Sequence, residues 1–119
     1  MRAGLASAFL LGLTAVATAA PVGVTTRTFV DAARARTLVT EIWYPARTDG
    51  RDAPPRGRFL LVLLAHGLCG SRTNYEYLST YLPRRGFAVA APDFPGVDAA
   101  ACGADGTPRD AESRLVEAT

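Results

Sequence analysis

Apolar and polar positions follow several different rhythms along this chain, and each rhythm predicts a different element. Val24 to Val30 (VTTRTFV) is rich in β-branched residues and predicts a short strand. Asp31 to Arg34 is a turn. From Thr37 to Tyr44 (TLVTEIWY), Leu38, Thr40, Ile42 and Tyr44 alternate with Val39, Glu41 and Trp43, which predicts a second strand ended by Pro45. The two strands are close enough to form an antiparallel hairpin. Pro45 to Gly57 holds three prolines, two glycines and five charged residues, so it is expected to be a loop.

The pattern then changes. Arg58 to Ala65 (RFLLVLLA) is apolar without interruption from Phe59, the signature of a strand covered on both faces. Thr73 to Leu82 (TNYEYLSTYL) predicts a helix, with Thr73 as N-cap and Glu76 completing a capping box. Tyr75, Leu78 and Leu82 share one face, and Pro83 and Gly86 stop the helix. Phe87 to Ala91 (FAVAA) is a second uninterrupted apolar run, hence a second buried strand, ending at Pro92 and Asp93. Small residues from Val97 to Thr107 imply a loop, and Asp110 to Ala118 opens like a helix without a stop signal. Two buried strands separated by a helix form a parallel unit. An antiparallel pair feeding a parallel sheet makes the expected class α/β.

The N-terminus changes the domain count. Met1 to Ala20 carries Arg2, an uncharged run from Leu5 to Ala17, and then Ala17-Thr18-Ala19, the small-x-small pattern of a cleavage site. Residues 1–19 are therefore expected to be a signal peptide, and residues 20–119 one domain of a secreted or periplasmic protein. The apolar run is shorter than the roughly 20 residues of a membrane span. Net charge is +2, all thirteen basic residues are arginine, and they form no stripe, so a nucleic-acid partner is not expected. A single histidine and two cysteines at no zinc-like spacing argue against a metal, and no cofactor is expected.

The segments TEIWYPA and LLVLLAHGLCGSRTNYEYLSTYLPRRGFAVAAPDFPG resemble the N-terminal part of α/β-hydrolases of the dienelactone hydrolase-like and platelet-activating-factor acetylhydrolase-like group. The likeness rests on the His-Gly turn, the tyrosine-bearing helix and the Gly-Phe-x-Val-x-Ala-Pro-Asp strand, in that order. It implies a serine hydrolase of carboxylic esters, acting on a small-molecule or lipid ester. It also implies that His66 and Gly67 form an oxyanion loop in which the Leu68 backbone N–H is a donor.

In this family the nucleophile precedes the acid and the acid precedes the histidine. His66 and Asp93 come too early for triad roles, and structural ones are expected: bonding the loop for His66, capping a turn for Asp93. Cys69, within Gly67-Leu68-Cys69-Gly70-Ser71, faintly resembles the cysteine elbow of dienelactone hydrolases. Against that stand Ser71 in place of the closing glycine, the late start of the helix and the small number of preceding strands. The competing role for Cys69 is a disulfide with Cys102, since both follow strands expected to be neighbours; two unpaired thiols are the remaining option.

No Gly-x-Ser-x-Gly occurs and no histidine follows His66. The chain is accordingly expected to be the front portion of a longer hydrolase, inactive alone and prone to aggregate through open strand edges. The alternatives are a non-catalytic secreted α/β binding module and a thiol hydrolase using Cys69.

Overall fold

The computed structural model describes residues 19–109. The signal segment, apart from Ala19, and the helix expected over Asp110–Ala118 lie outside the described residues. Strands β1 (Val22–Asp31) and β2 (Arg36–Pro45) pair antiparallel along their whole length, with Val22 opposite Pro45 and Asp31 opposite Arg36. The turn between them is closed by Asp31, whose carboxylate accepts the Arg34 N–H at 3.3 Å and pairs with Arg34 and Arg36. Both strands extend slightly beyond the segments that patterning marks.

Three further strands complete a five-stranded sheet: β3 (Gly50–Arg51), β4 (Leu60–Leu63) and β5 (Phe87–Pro92), in the order β3-β1-β2-β5-β4. The sheet is mixed. β5 runs antiparallel to β2 and parallel to β4, and β3 runs parallel to β1. β3 lies inside the segment expected to be a loop. It is pinned by backbone groups, with the Asp52 N–H on the Val24 carbonyl and the Val22 N–H on the Asp49 carboxylate, both at 2.8 Å. A strand of two residues carries no periodicity to reveal it.

The core lies on one face of the sheet. Val22, Trp43, Val89 and Ala91 form it, with Val24, Val62, Leu64 and Leu82 packed against them. Val89 is fully buried at its centre, as the uninterrupted run in β5 predicts. The same prediction fails for β4. Leu60, Leu61 and Leu63 are 75%, 64% and 64% exposed. Among the described residues β4 has β5 as its single neighbour, and Leu61 and Leu63 alternate onto the face away from the core. The run is apolar enough for two covered faces, but the described elements cover only one, and that one incompletely, since Leu60 shares the face of Val62 and is still exposed.

The helix also departs from expectation. α1 spans Glu76–Tyr81, and its N-cap is Tyr75, without a side-chain cap. The residues that should have formed the first turn are held by Asn74, whose Oδ1 accepts both the Ser71 N–H at 3.1 Å and the Ser71 hydroxyl at 3.0 Å. Asn and Ser bonding to nearby backbone compete with helix formation, so the capping box at Thr73 does not form. The stop is where Pro83 and Gly86 place it: a 3-10 turn at Pro83–Arg85 ends on left-handed Gly86 (φ 92°).

A β4 edge left unpaired among the described residues, with exposed leucines, should make the chain self-associate. Replacing Leu61 and Leu63 by lysine should shift its sedimentation from oligomer toward monomer. A soluble monomer of the unsubstituted chain with a sharp, cooperative melt would contradict this expectation.

Candidate oxyanion loop

β4 and β5 are parallel, so the segments that follow them leave the sheet at the same edge and meet there. His66 is buried in this meeting point. The Phe94 N–H donates to its Nε2 at 3.1 Å, which leaves Nδ1 to donate to the Gly67 carbonyl at 2.8 Å. The ring also lies tilted against Phe94, centroid to centroid 5.3 Å. Both ring nitrogens are occupied, so His66 has no lone pair free to take a proton from a nucleophile.

The Gly67 carbonyl accepts a second bond, from the Gly70 N–H at 3.0 Å. The Gly67–Leu68 peptide is planar and trans, so fixing its carbonyl on two donors aims the Leu68 N–H the opposite way. Among the described residues nothing accepts that N–H, and Leu68 is 61% exposed. Gly70 is required by space: a Cβ there would lie 2.8 Å from the Gly67 oxygen and 2.9 Å from His66 Cβ. The positive φ of this loop falls on neither glycine but on Cys69, at 60°.

Cys69 and Cys102 are joined in a disulfide, Cα to Cα 5.6 Å. A bonded sulfur carries no thiolate, so the reading of Cys69 as an attacking nucleophile does not survive. The bond spans 33 positions of sequence. In the chain-entropy account, closing a loop of that size stabilises the fold by about 4 kcal/mol.

Arg72 joins the loop to the sheet. Its N–H donates to Asp93 Oδ1 at 2.6 Å, and its guanidinium donates to Asp93 Oδ2. Asp93 thus ties two loops together, where turn capping was expected. The Arg72 Nε also lies 3.4 Å from Glu41 Oε2. That contact is an ion pair without hydrogen-bond geometry. Glu41, buried on β2, receives hydrogen bonds from Arg51 at 2.7 Å and from the Thr26 hydroxyl at 2.9 Å. Burial pushes its carboxyl up. The bonds from Arg51 and Thr26 and the charges of Arg51 and Arg72 outweigh that effect, so its pKa lies below the ordinary value of 4.5. Patterning placed Glu41 among apolar alternates, which was the available hint that it needed partners.

These arginines and Glu41 border a cleft of about 260 Å3 with Trp43, Thr73 and Glu76. A larger cleft, about 410 Å3, opens on the opposite face between Thr25, Ile42, Tyr44 and Phe59. It is lined by no residue of the loop. Among the described residues no group of three or more His, Cys, Asp or Glu side chains could hold a metal.

An antiparallel pair leading into parallel strands joined through a helix defines an α/β-hydrolase-like fold, present here as part of a domain. The family model for platelet-activating factor acetylhydrolase, isoform II, matches residues 12–114, and the chain belongs to that family. Among solved structures, a ferulic acid esterase from Streptomyces cinnamoneus superposes with a TM-score of 0.62 at 26% identity. The match covers 71% of this chain and 36% of the esterase, so the chain spans little more than a third of that structure's length. No curated protein matches the chain.

Glu41 generates a pH prediction. Its folded pKa is lowered, so its contribution to stability is complete above the unfolded carboxylate value and is lost as pH falls through the folded one. Denaturation midpoints should therefore fall as pH is taken below 4.5, and Glu41→Gln should flatten that dependence while lowering stability near neutrality. An unchanged acid limb in Glu41→Gln would show that other carboxylates carry it.

Proposed function

We propose that this chain is the front part of an exported carboxylic-ester hydrolase and that it contributes one donor of the oxyanion hole. The nucleophile, acid and base belong to other parts of the whole hydrolase. The observation that carries this reading is the Leu68 N–H, unaccepted among the described residues and aimed by a peptide whose carbonyl is bonded to His66 and Gly70. Attack on an ester puts charge on the carbonyl oxygen, and an N–H already in place stabilises that charge without reorganising.

Family membership and the esterase neighbour support a carboxylic ester as the substrate class, since one is described as an acetylhydrolase and the other as an esterase. The disulfide and the small-x-small pattern ending at Ala19 support export and cleavage near residue 19. The exposed leucines of β4 support a whole hydrolase in which further chain pairs with that edge and covers that face. The 119 residues alone should not hydrolyse esters, because they contain no Gly-x-Ser-x-Gly and their single histidine is bonded at both nitrogens.

The test is to replace the Leu68 amide by an ester in the whole hydrolase, using the α-hydroxy analogue of leucine. This removes the N–H and keeps the side chain. kcat should fall on the order of a hundredfold with little change in KM, whereas Leu68→Ala, which keeps the N–H, should stay within a few-fold of the parent. An ester variant with the parental kcat would rule Leu68 out as a donor.

A further inference from the structure

We infer that the Cys69–Cys102 disulfide is a positioning clamp for the oxyanion donor: it holds Cys69 in the left-handed conformation that keeps the Gly67–Gly70 turn closed. This inference rests on the reading of Leu68 as a donor. It concerns what holds that donor in place.

Residues 67–70 form a four-residue turn closed by the Gly70 N–H on the Gly67 carbonyl at 3.0 Å. Its third residue, Cys69, has φ 60°. Positive φ at that position is ordinarily the province of glycine or asparagine, and for other residues it is a strained conformation that persists only where surrounding contacts impose it. Three ties to one neighbouring segment impose it here. The Cys69 N–H donates to the Val97 carbonyl at 2.8 Å, and the Ala99 N–H donates to the Gly70 carbonyl at 2.7 Å. The third tie is the covalent bond to Cys102, which is buried.

Val97 and Cys102 flank the short 3-10 turn at Ala99–Ala101, so both kinds of tie reach the loop from the segment that follows β5. Without the bond, Cys69 is free to relax to negative φ. Relaxation swings its N–H away from Val97 and opens the turn. The Gly67 carbonyl then loses one of its two donors, and the direction of the Leu68 N–H is left to His66 alone. Cys69 and Cys102 are in this account positioning residues, acting through the turn without touching a substrate.

The experiment is residue-resolved amide hydrogen exchange on the whole hydrolase in three forms: the disulfide form, Cys69→Ser/Cys102→Ser, and Cys69→Gly/Cys102→Ser. Any disulfide also stabilises the whole fold through the unfolded chain, so loop rates are read relative to the β1–β2 hairpin. In the double-serine form the Cys69-position, Gly70 and Ala99 amides should exchange roughly tenfold faster, beyond any change in the hairpin, once the imposed φ is released. In the Cys69→Gly form, where positive φ carries no penalty, much of that protection should return although no disulfide is present.

Equal acceleration in loop and hairpin would overturn the clamp and leave only a global staple. So would a Cys69→Gly form no better protected than the double-serine form. A failed ester test at Leu68 would remove the donor and leave these exchange results standing. Unchanged loop exchange would remove the clamp and leave Leu68 as donor.

Discussion

The parallel register between β4 and β5, Leu60 beside Phe87 through Leu63 beside Ala90, is the constraint on which the rest of this structure depends. Parallel neighbours require a crossover, which α1 supplies, and they discharge their chains at the same edge of the sheet. Everything distinctive about the loop follows from that meeting. Phe94 reaches His66, Asp93 reaches Arg72, and Val97 and Cys102 reach Cys69. An antiparallel pairing of the same strands would send these loops to opposite ends, and none of the contacts would exist.

The loop is held by three kinds of force with different reach. His66 and Gly70 act on a single carbonyl, and peptide planarity converts their two hydrogen bonds into the direction of one N–H. The Arg72–Asp93 pair fixes the loop's far side to the end of β5 and, through Glu41, to the middle of β2. Its value is geometric more than energetic, since the guanidinium is partly exposed and pairs of that kind contribute little net stability. The disulfide works against local backbone preference at Cys69. Burial, by contrast, is concentrated around Val89 and Trp43 and leaves β4 thinly covered.

Much of this was legible in the sequence where one physical signal dominated. β-branching and strict alternation marked β1 and β2, and the uninterrupted run in β5 marked its burial. The α/β class followed from the order of these elements; the family resemblance, carried by the His-Gly turn, the tyrosine-bearing helix and the Gly-Phe-x-Val-x-Ala-Pro-Asp strand, is supported by the family match. What was not legible depended on partners distant in sequence. β3 exists because Asp49 and Asp52 happen to meet β1. The late start of α1 reflects Asn74 competing for the backbone, which a capping-box pattern does not weigh. The exposure of β4 reflects which neighbours are present, a quantity its own residues do not encode. At the site, His66, Gly67 and Leu68 could be nominated from the motif, whereas the role of Arg72 emerged only from its contacts with Asp93 and Glu41. The positive φ of the loop lies at Cys69 and not at its glycines, which the motif does not reveal.

The central claim is that Leu68 presents its N–H to the oxygen on which charge develops. The most direct measurement is a crystal structure of the whole hydrolase inactivated by a serine-directed phosphonate, whose tetrahedral phosphorus stands in for the ester carbon after attack. The account predicts the phosphonyl oxygen at about 2.7–3.1 Å from the Leu68 nitrogen. A phosphonyl oxygen bound by other donors, with the Leu68 N–H turned away from it, would contradict the account.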